Sequence, residues 1–219
     1  MSVTRADEPK VYSILISGEL GSGKTTLQRL LEGELRRLLS PAILIVAVNF
    51  ADELKRECAE RAGVPASTFY TEEGKARYFP PLGMTGRQLL QTVGEEARQK
   101  DPEHWVKRAK QTINKLIEGS GARQVVAIIG DCRHPNEVDA MRPGLAVRLT
   151  GDPGGARARS SADLTHISER GMDDFERFDM HINSDKTTPE MEVLAVFERL
   201  TQAKLDLFGE LIVTPPAKR

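Results

Sequence analysis

The stretch "GELGSGKTT", residues 18 to 26, constrains this chain more than any other part of it. It fits the pattern G-x-x-x-x-G-K-[ST] at every defined position, with Gly18, Gly23, Lys24 and Thr25 in place. Such a loop has mechanical meaning only between a strand and a helix. Glycines let backbone N–H groups close around phosphate oxygens without Cβ clashes, and the helix N-terminus adds positive dipole. Lysine then reaches the outer phosphates and the threonine hydroxyl is offered to Mg²⁺. The flanks supply that context. The apolar run "VYSILIS" (11–17) precedes the loop, and residues 24–39 place Leu27, Leu30, Leu31, Leu35, Leu38 and Leu39 at helical spacing before Pro41 punctuates the helix.

Four more apolar runs bounded by turn signals follow: "AILIVAV" (42–48), "QVVAIIG" (124–130), "LAVRLT" (145–150) and a short "MHIN" (180–183). Near-continuous β-branched runs of this length are strands buried on both faces, and helical patterns separate them. The expectation is an α/β fold, a parallel sheet of about five strands flanked by helices. The segment 49–123 is too long for a plain crossover. With helical patterns at 50–61, 85–99 and 103–118 and a loop at 63–84, it predicts a helical insertion into one domain spanning 1–219, whose core is 11–48 and 124–208. The run "GDPGGARARSSAD" (151–163) has no apolar period and carries positive charge, which predicts a lid within 151–170. A helix at about 188–208 closes the chain.

Charge balance excludes some partners. Lys plus Arg number 31 against 32 for Asp plus Glu, a formal net charge of -1, so there is no global attraction for free nucleic acid or an anionic membrane, and any anion site is local. The two cysteines, Cys58 and Cys132, form no metal-ligand or disulfide pattern and suit a reducing, cytoplasmic setting. No run approaches the roughly 20 apolar residues that span a bilayer. The pattern marks no dimer interface and leaves a homodimer open.

Two further segments carry chemistry. Asp131 falls at the carboxyl end of a buried strand, the edge where ligands of open α/β sheets bind. There it either holds Mg²⁺ through water or caps the helix starting near Pro135. In "TGRQLLQTVGEEAR" (85–98), Leu89, Leu90, Val93 and Ala97 fall in one arc about 100° wide, the usual core stripe, while Arg87, Gln91, Gly94 and Arg98 fall in an adjacent arc of about 60°. Two arginines with a glutamine between them form a shelf for a phosphate and the edge of a base, or else a solvated face. Gly94 is costly inside a helix, and a close approach by something else would explain it. In the next helix Trp105, Val106, Ala109, Ile113, Leu116 and Ile117 form a core face, and Lys107, Arg108 and Lys110 are expected in solvent. Phe69, Tyr70, Tyr78 and Phe79 either stack on a base or pack the loop.

The order of the phosphate loop, "FADELK" (50–55), "TGRQLLQTVGEEARQKDPEHWV" (85–106), "GDCRHPNE" (130–137), "THISE" (165–169) and "FDMHINSD" (178–185) resembles the deoxynucleoside monophosphate kinases of bacteriophages, in the nucleoside monophosphate kinase branch of P-loop proteins. The likeness runs from about residue 11 to 200. It implies that Lys24 and the loop around it, Gly18, Gly21, Ser22, Gly23, Thr25 and Thr26, hold ATP with Mg²⁺ at Thr25 and Asp131. Arg87, Gln91 and Arg98 belong to the acceptor, a (deoxy)nucleoside monophosphate, with Asp131 and Arg133 between the two sites. Arg157 and Arg159 correspond to lid arginines, Asp52 either approaches the acceptor or caps its helix, and His166 and Glu169 match the pattern without an assigned step. Two other readings stay open: a kinase of another small phosphorylated metabolite, such as phosphomevalonate, or of a modified base in DNA, and an NTPase that drives a partner. The last reading includes a regulatory GTPase, which is opposed by the lack of N-K-x-D for guanine recognition and by "CRHP" after Asp131 in place of the D-x-x-G of a switch.

Overall fold

The computed structural model describes residues 8–155 and 171–202. Five strands, β1 (Lys10–Gly18), β2 (Ile43–Asn49), β5 (Gln124–Cys132), β6 (Leu145–Thr150) and β7 (Met180–Asn183), form one parallel sheet in the order β2-β5-β1-β6-β7. The helices are α1 (Lys24–Leu38), α2 (Phe50–Ala62), α3 (Glu72–Ala76), α4 (Gly86–Lys100), α5 (His104–Ser120), α6 (Pro135–Met141) and α7 (Pro189–Gln202). This is the α/β P-loop architecture. Because β5 lies between β1 and β2, the connections leaving β1 and β5 diverge to opposite sides and open a crevice at their carboxyl ends.

Alternation along the strands sends side chains into two layers. Ile14, Ile16, Val126, Ile128, Val147 and Leu149 pack with Leu27, Leu31 and Leu35 of α1 and Val193 and Val196 of α7. Leu15, Val46, Val48, Val125, Ala127 and Ile129 pack on the other side with Val106, Ala109, Ile113 and Ile117 of α5. Each buried valine, leucine or isoleucine among them contributes about 1.5–3 kcal/mol of transfer free energy. Leu116, expected on the core face of α5, is instead 44% exposed. Lys107, Arg108 and Lys110 are exposed as expected.

The insertion has a core of its own, in which Cys58, Ala59, Phe69, Phe79, Leu89, Val93 and Trp105 join α2, α4 and α5. The segment expected as a loop at 63–84 is more ordered than that. It holds 3₁₀ turns at Ala66–Tyr70 and Pro80–Leu82, helix α3, and a two-residue pairing of β3 (Tyr78–Phe79) with β4 (Met84–Thr85). Tertiary contacts impose this structure. Phe69 stacks on Phe79 at 5.9 Å between centroids, and a Cβ at Gly74 would collide with the Thr68 carbonyl. No helix among the described residues is long and apolar enough to cross a membrane.

Candidate active site

The phosphate loop joins β1 to α1 with Gly21 at φ 80° and Gly23 at φ 87°, a left-handed conformation that glycine adopts without strain. A Cβ at Gly18 would come within 2.5 Å of Ser22 Oγ, so the loop closes tightly on its own backbone. Gly23 gives α1 no side-chain cap, leaving the first amides of the helix for an anion. Lys24 Nζ donates to the carbonyls of Gly18 at 2.9 Å and Glu19 at 2.7 Å, which folds the ammonium back over the loop. These features fit a nucleotide triphosphate tail.

Strand β5 ends in an irregularity that creates the next component. Leu15 pairs with Ile129 but Ser17 pairs with Cys132, so β5 carries one residue more than β1 over this interval. Asp131 within it has φ 59°, rare outside glycine, and such a bulge re-aims a side chain. Arg133 Nε donates to Asp131 Oδ1 at 2.8 Å. Burial pushes the Asp131 carboxyl upward, but Arg133, Lys24 and Lys55 outweigh it and hold it below the ordinary carboxylate value. An ionised carboxylate facing Thr25 across one cavity fits a Mg²⁺ site. The alternative role, capping the helix at Pro135, is not what Asp131 does: His134 is the N-cap of α6, and Glu137 reaches back to its N–H at 3.1 Å. Gly130, just before, is required, because a Cβ there would strike Asn49 Oδ1 and come within 2.9 Å of Gln28 Oε1.

The opposite wall is α4. Thr85 and Gln88 form a capping box that starts this helix, with Gln88 Oε1 accepting from Thr85 N at 2.8 Å. Leu89 and Val93 are buried, and Arg87, Leu90, Gln91, Glu95 and Arg98 line the cavity. Arg87 donates to Glu72 at 2.5 Å. Arg98 Nη2 lies 3.7 Å from Glu137 Oε1. Burial lowers the Arg98 guanidinium from its ordinary value against the pull of Glu137 and Glu95, with Arg133 adding repulsion. Gly94 is buried rather than open to the cavity. The close approach that explains it comes from within the protein: a Cβ would meet Arg98 Nη1 at 3.3 Å and Leu54 Cδ2 at 3.4 Å.

One cavity of about 560 Å³ therefore gathers Gly21, Gly23, Lys24, Thr25 and Thr26 from the phosphate loop, Arg87, Gln91 and Arg98 from α4, and Asp131 and Arg133 from the end of β5. Gly18 and Ser22 shape the loop from behind. Asp52 does not line the cavity. It closes the capping box of α2, accepting from Asn49 N at 3.1 Å, and it receives the Tyr70 hydroxyl at 2.9 Å. Arg157, Arg159, His166 and Glu169 lie outside the described residues, as does most of the expected lid. Of the four aromatic residues, Phe69 and Phe79 pack the insertion, Tyr78 is exposed, and Tyr70 lines the cavity. Trp105 is buried as expected, and its indole N–H donates to the Gly94 carbonyl at 3.2 Å.

Three residues that sequence reasoning passed over belong to this site. Lys55, the last residue of "FADELK", lines the cavity with its ammonium 4.0 Å from the centre of the Tyr70 ring. Gln28 donates to the carbonyls of Val48 at 3.0 Å and Ile128 at 3.2 Å, tying α1 to β2 and β5 beneath the crevice. Glu137, the last residue of "DCRHPNE", is 2% exposed and faces both Arg98 and the Asp131 turn. For Lys55 and Glu137, their places inside quoted motifs were the available signal; Gln28 lies outside every one of them.

Neither a protein-family model nor a curated protein matches the chain. Among solved structures, shikimate kinase from Aquifex aeolicus vf5 is similar at 17% identity and a TM-score of 0.40, over 88% of this chain and 98% of that one. Shikimate kinase from Bacteroides thetaiotaomicron is similar at 15% identity and a TM-score of 0.41, over 87% of this chain and 98% of that one.

Proposed function

We propose that this chain transfers the γ-phosphoryl group of ATP to the phosphate of a (deoxy)nucleoside monophosphate, yielding the diphosphate and ADP. The observation that carries the proposal is the single cavity in which the phosphate loop faces the arginine-bearing side of α4, with Asp131 and Arg133 between them. A donor phosphate chain on the loop and an acceptor phosphate near Arg98 would meet across that gap. A Mg²⁺ ion held by Thr25 and Asp131 would neutralise phosphate charge.

The acceptor is already an anion at neutral pH, so the reaction needs no general base. Positioning and charge neutralisation carry it. Lys24 and the α1 amides hold the donor, Arg98 and Arg133 hold the acceptor, and the cations around Asp131 keep that carboxylate ionised. Resemblance in motif order to the bacteriophage deoxynucleoside monophosphate kinases supports a nucleotide as the acceptor. The test is ADP release from MgATP against a panel of ribo- and deoxynucleoside monophosphates, with products identified by mass. A nucleoside diphosphate is the expected product. Binding of ATP without conversion of any member of the panel overturns the nucleotide assignment.

A further inference from the structure

Glu137 is a buried acid at the start of the seven-residue helix α6. Its two oxygens serve different parts of the protein. Oε2 accepts from the backbone N–H of Arg133 at 2.7 Å and of His134 at 3.1 Å, so it grips the turn that carries Asp131. Oε1 faces Arg98 Nη2 at 3.7 Å, on the helix that forms the opposite wall of the cavity. Arg98 is long and only 22% exposed in its side chain, and it projects toward the cavity from the last turn of α4. A guanidinium in such a place needs a fixed counterpart to hold one geometry.

The capping box of α6 accounts for only one oxygen of this acid. Burial pushes the Glu137 carboxyl above its ordinary value, in spite of the Arg133 and His134 amides and the nearby Arg98. We propose that Glu137 is a positioning residue that holds Arg98 and the Asp131 turn in one fixed relation, so that the acceptor phosphate and the donor side are aligned. The inference rests on the phosphoryl-transfer reading. Its leverage is geometric, since a displacement of about 1 Å in a positioning group can cost about a hundredfold in rate.

The decisive variant is Glu137→Gln. Its amide oxygen keeps the place that accepts from Arg133 and His134, while its NH₂ replaces Oε1 and turns a donor toward the Arg98 guanidinium. The expected result is a fall of about tenfold or more in kcat/KM for the monophosphate, with the KM for ATP within about twofold and the melting temperature within a few degrees. On an Arg98→Ala background, Glu137→Gln should add less than about twofold, because the two act as one unit. Unchanged kcat/KM, an equal loss toward both substrates, or full additivity with Arg98→Ala overturns the inference.

A second measurement separates this result from the fate of the nucleotide assignment. Trp105, the only tryptophan, lines the cavity and bonds to α4, so its fluorescence can report inorganic phosphate titrated in the presence of MgADP. Wild-type protein that converts no monophosphate contradicts the proposed function. The inference still predicts about tenfold weaker phosphate binding in Glu137→Gln, and equal binding overturns it.

Discussion

Replacing Gly94 with Ala should separate stability from function. Gly94 lies inside α4, where glycine is about 1 kcal/mol less favourable than alanine. The added Cβ would meet Leu54 Cδ2 at 3.4 Å, an ordinary contact, and Arg98 Nη1 at 3.3 Å, slightly tighter than ordinary. The backbone therefore gains while the tip of a flexible side chain yields by a few tenths of an ångström. Stability should stay level or rise by up to about 1 kcal/mol, which for a chain of this size is about 2–4 °C in melting temperature. The cost falls on Arg98. Hydrogen bonds to charged groups contribute about 1.5–3 kcal/mol, and losing about 1 kcal/mol of that raises the acceptor KM about fivefold. Thermal unfolding followed by circular dichroism, with steady-state kinetics at saturating MgATP, measures both. A melting temperature lowered by more than a few degrees would refute the packing argument, and a stable variant with unchanged acceptor KM would remove Arg98 from the acceptor site.

Lys24→Ala should lower turnover by about a thousandfold with little change in melting temperature, and turnover near wild type would dismiss the phosphate-loop assignment. Asp131→Asn should fold normally, because asparagine tolerates the left-handed φ of 59°, yet lose about a hundredfold in activity; Asp131→Ala should add about 1–2 kcal/mol of destabilisation that urea titration would detect. The Asp131 carboxyl is depressed in the folded state, so its favourable contribution is present above the unfolded value near 3.8 and is lost only as pH falls through the lower folded value. Acid unfolding of Asp131→Asn should accordingly lack that component. Burial pushes the Cys58 thiol up to about 12 and raises Cys132 well above its ordinary value, so a disulfide reagent at pH 8 should label neither in the native protein and both in denaturant. Rapid native labelling of either would contradict their burial.

The five strands and most helices were legible because long apolar runs and leucine spacing are local patterns, and the phosphate loop because its glycines, lysine and threonine are chemically specific. The segment 63–84 was not, because its short elements have no period of their own and exist through contacts with Phe69, Phe79 and Gly74. Gly94 was recognised as unusual, but what crowds it is Leu54, forty residues away in sequence, and Arg98 of its own helix. Asp131 was visible at a strand end, whereas its bulge depends on register against β1. Glu137 gave no periodic signal at all. One buried acid in a short helix becomes informative only when both its neighbours, the turn and Arg98, are seen together.

Helix α4 is also a measuring rod. With Arg87 near one end and Arg98 near the other, the eleven residue steps that separate them span about 16 Å at the α-helical rise, and Gln91 stands about 10 Å from Arg98 along the axis. Glu72 draws Arg87 toward the far end and Glu137 draws Arg98 toward the near one. If the acceptor phosphate rests at Arg98, as proposed, the acceptor would have to lie along this scale to touch Gln91, and the cavity would sort its guests by length before it read any edge of them. On the proposed function, a bare phosphate or a small phosphorylated acid would stop short of the glutamine, and a nucleotide would reach it.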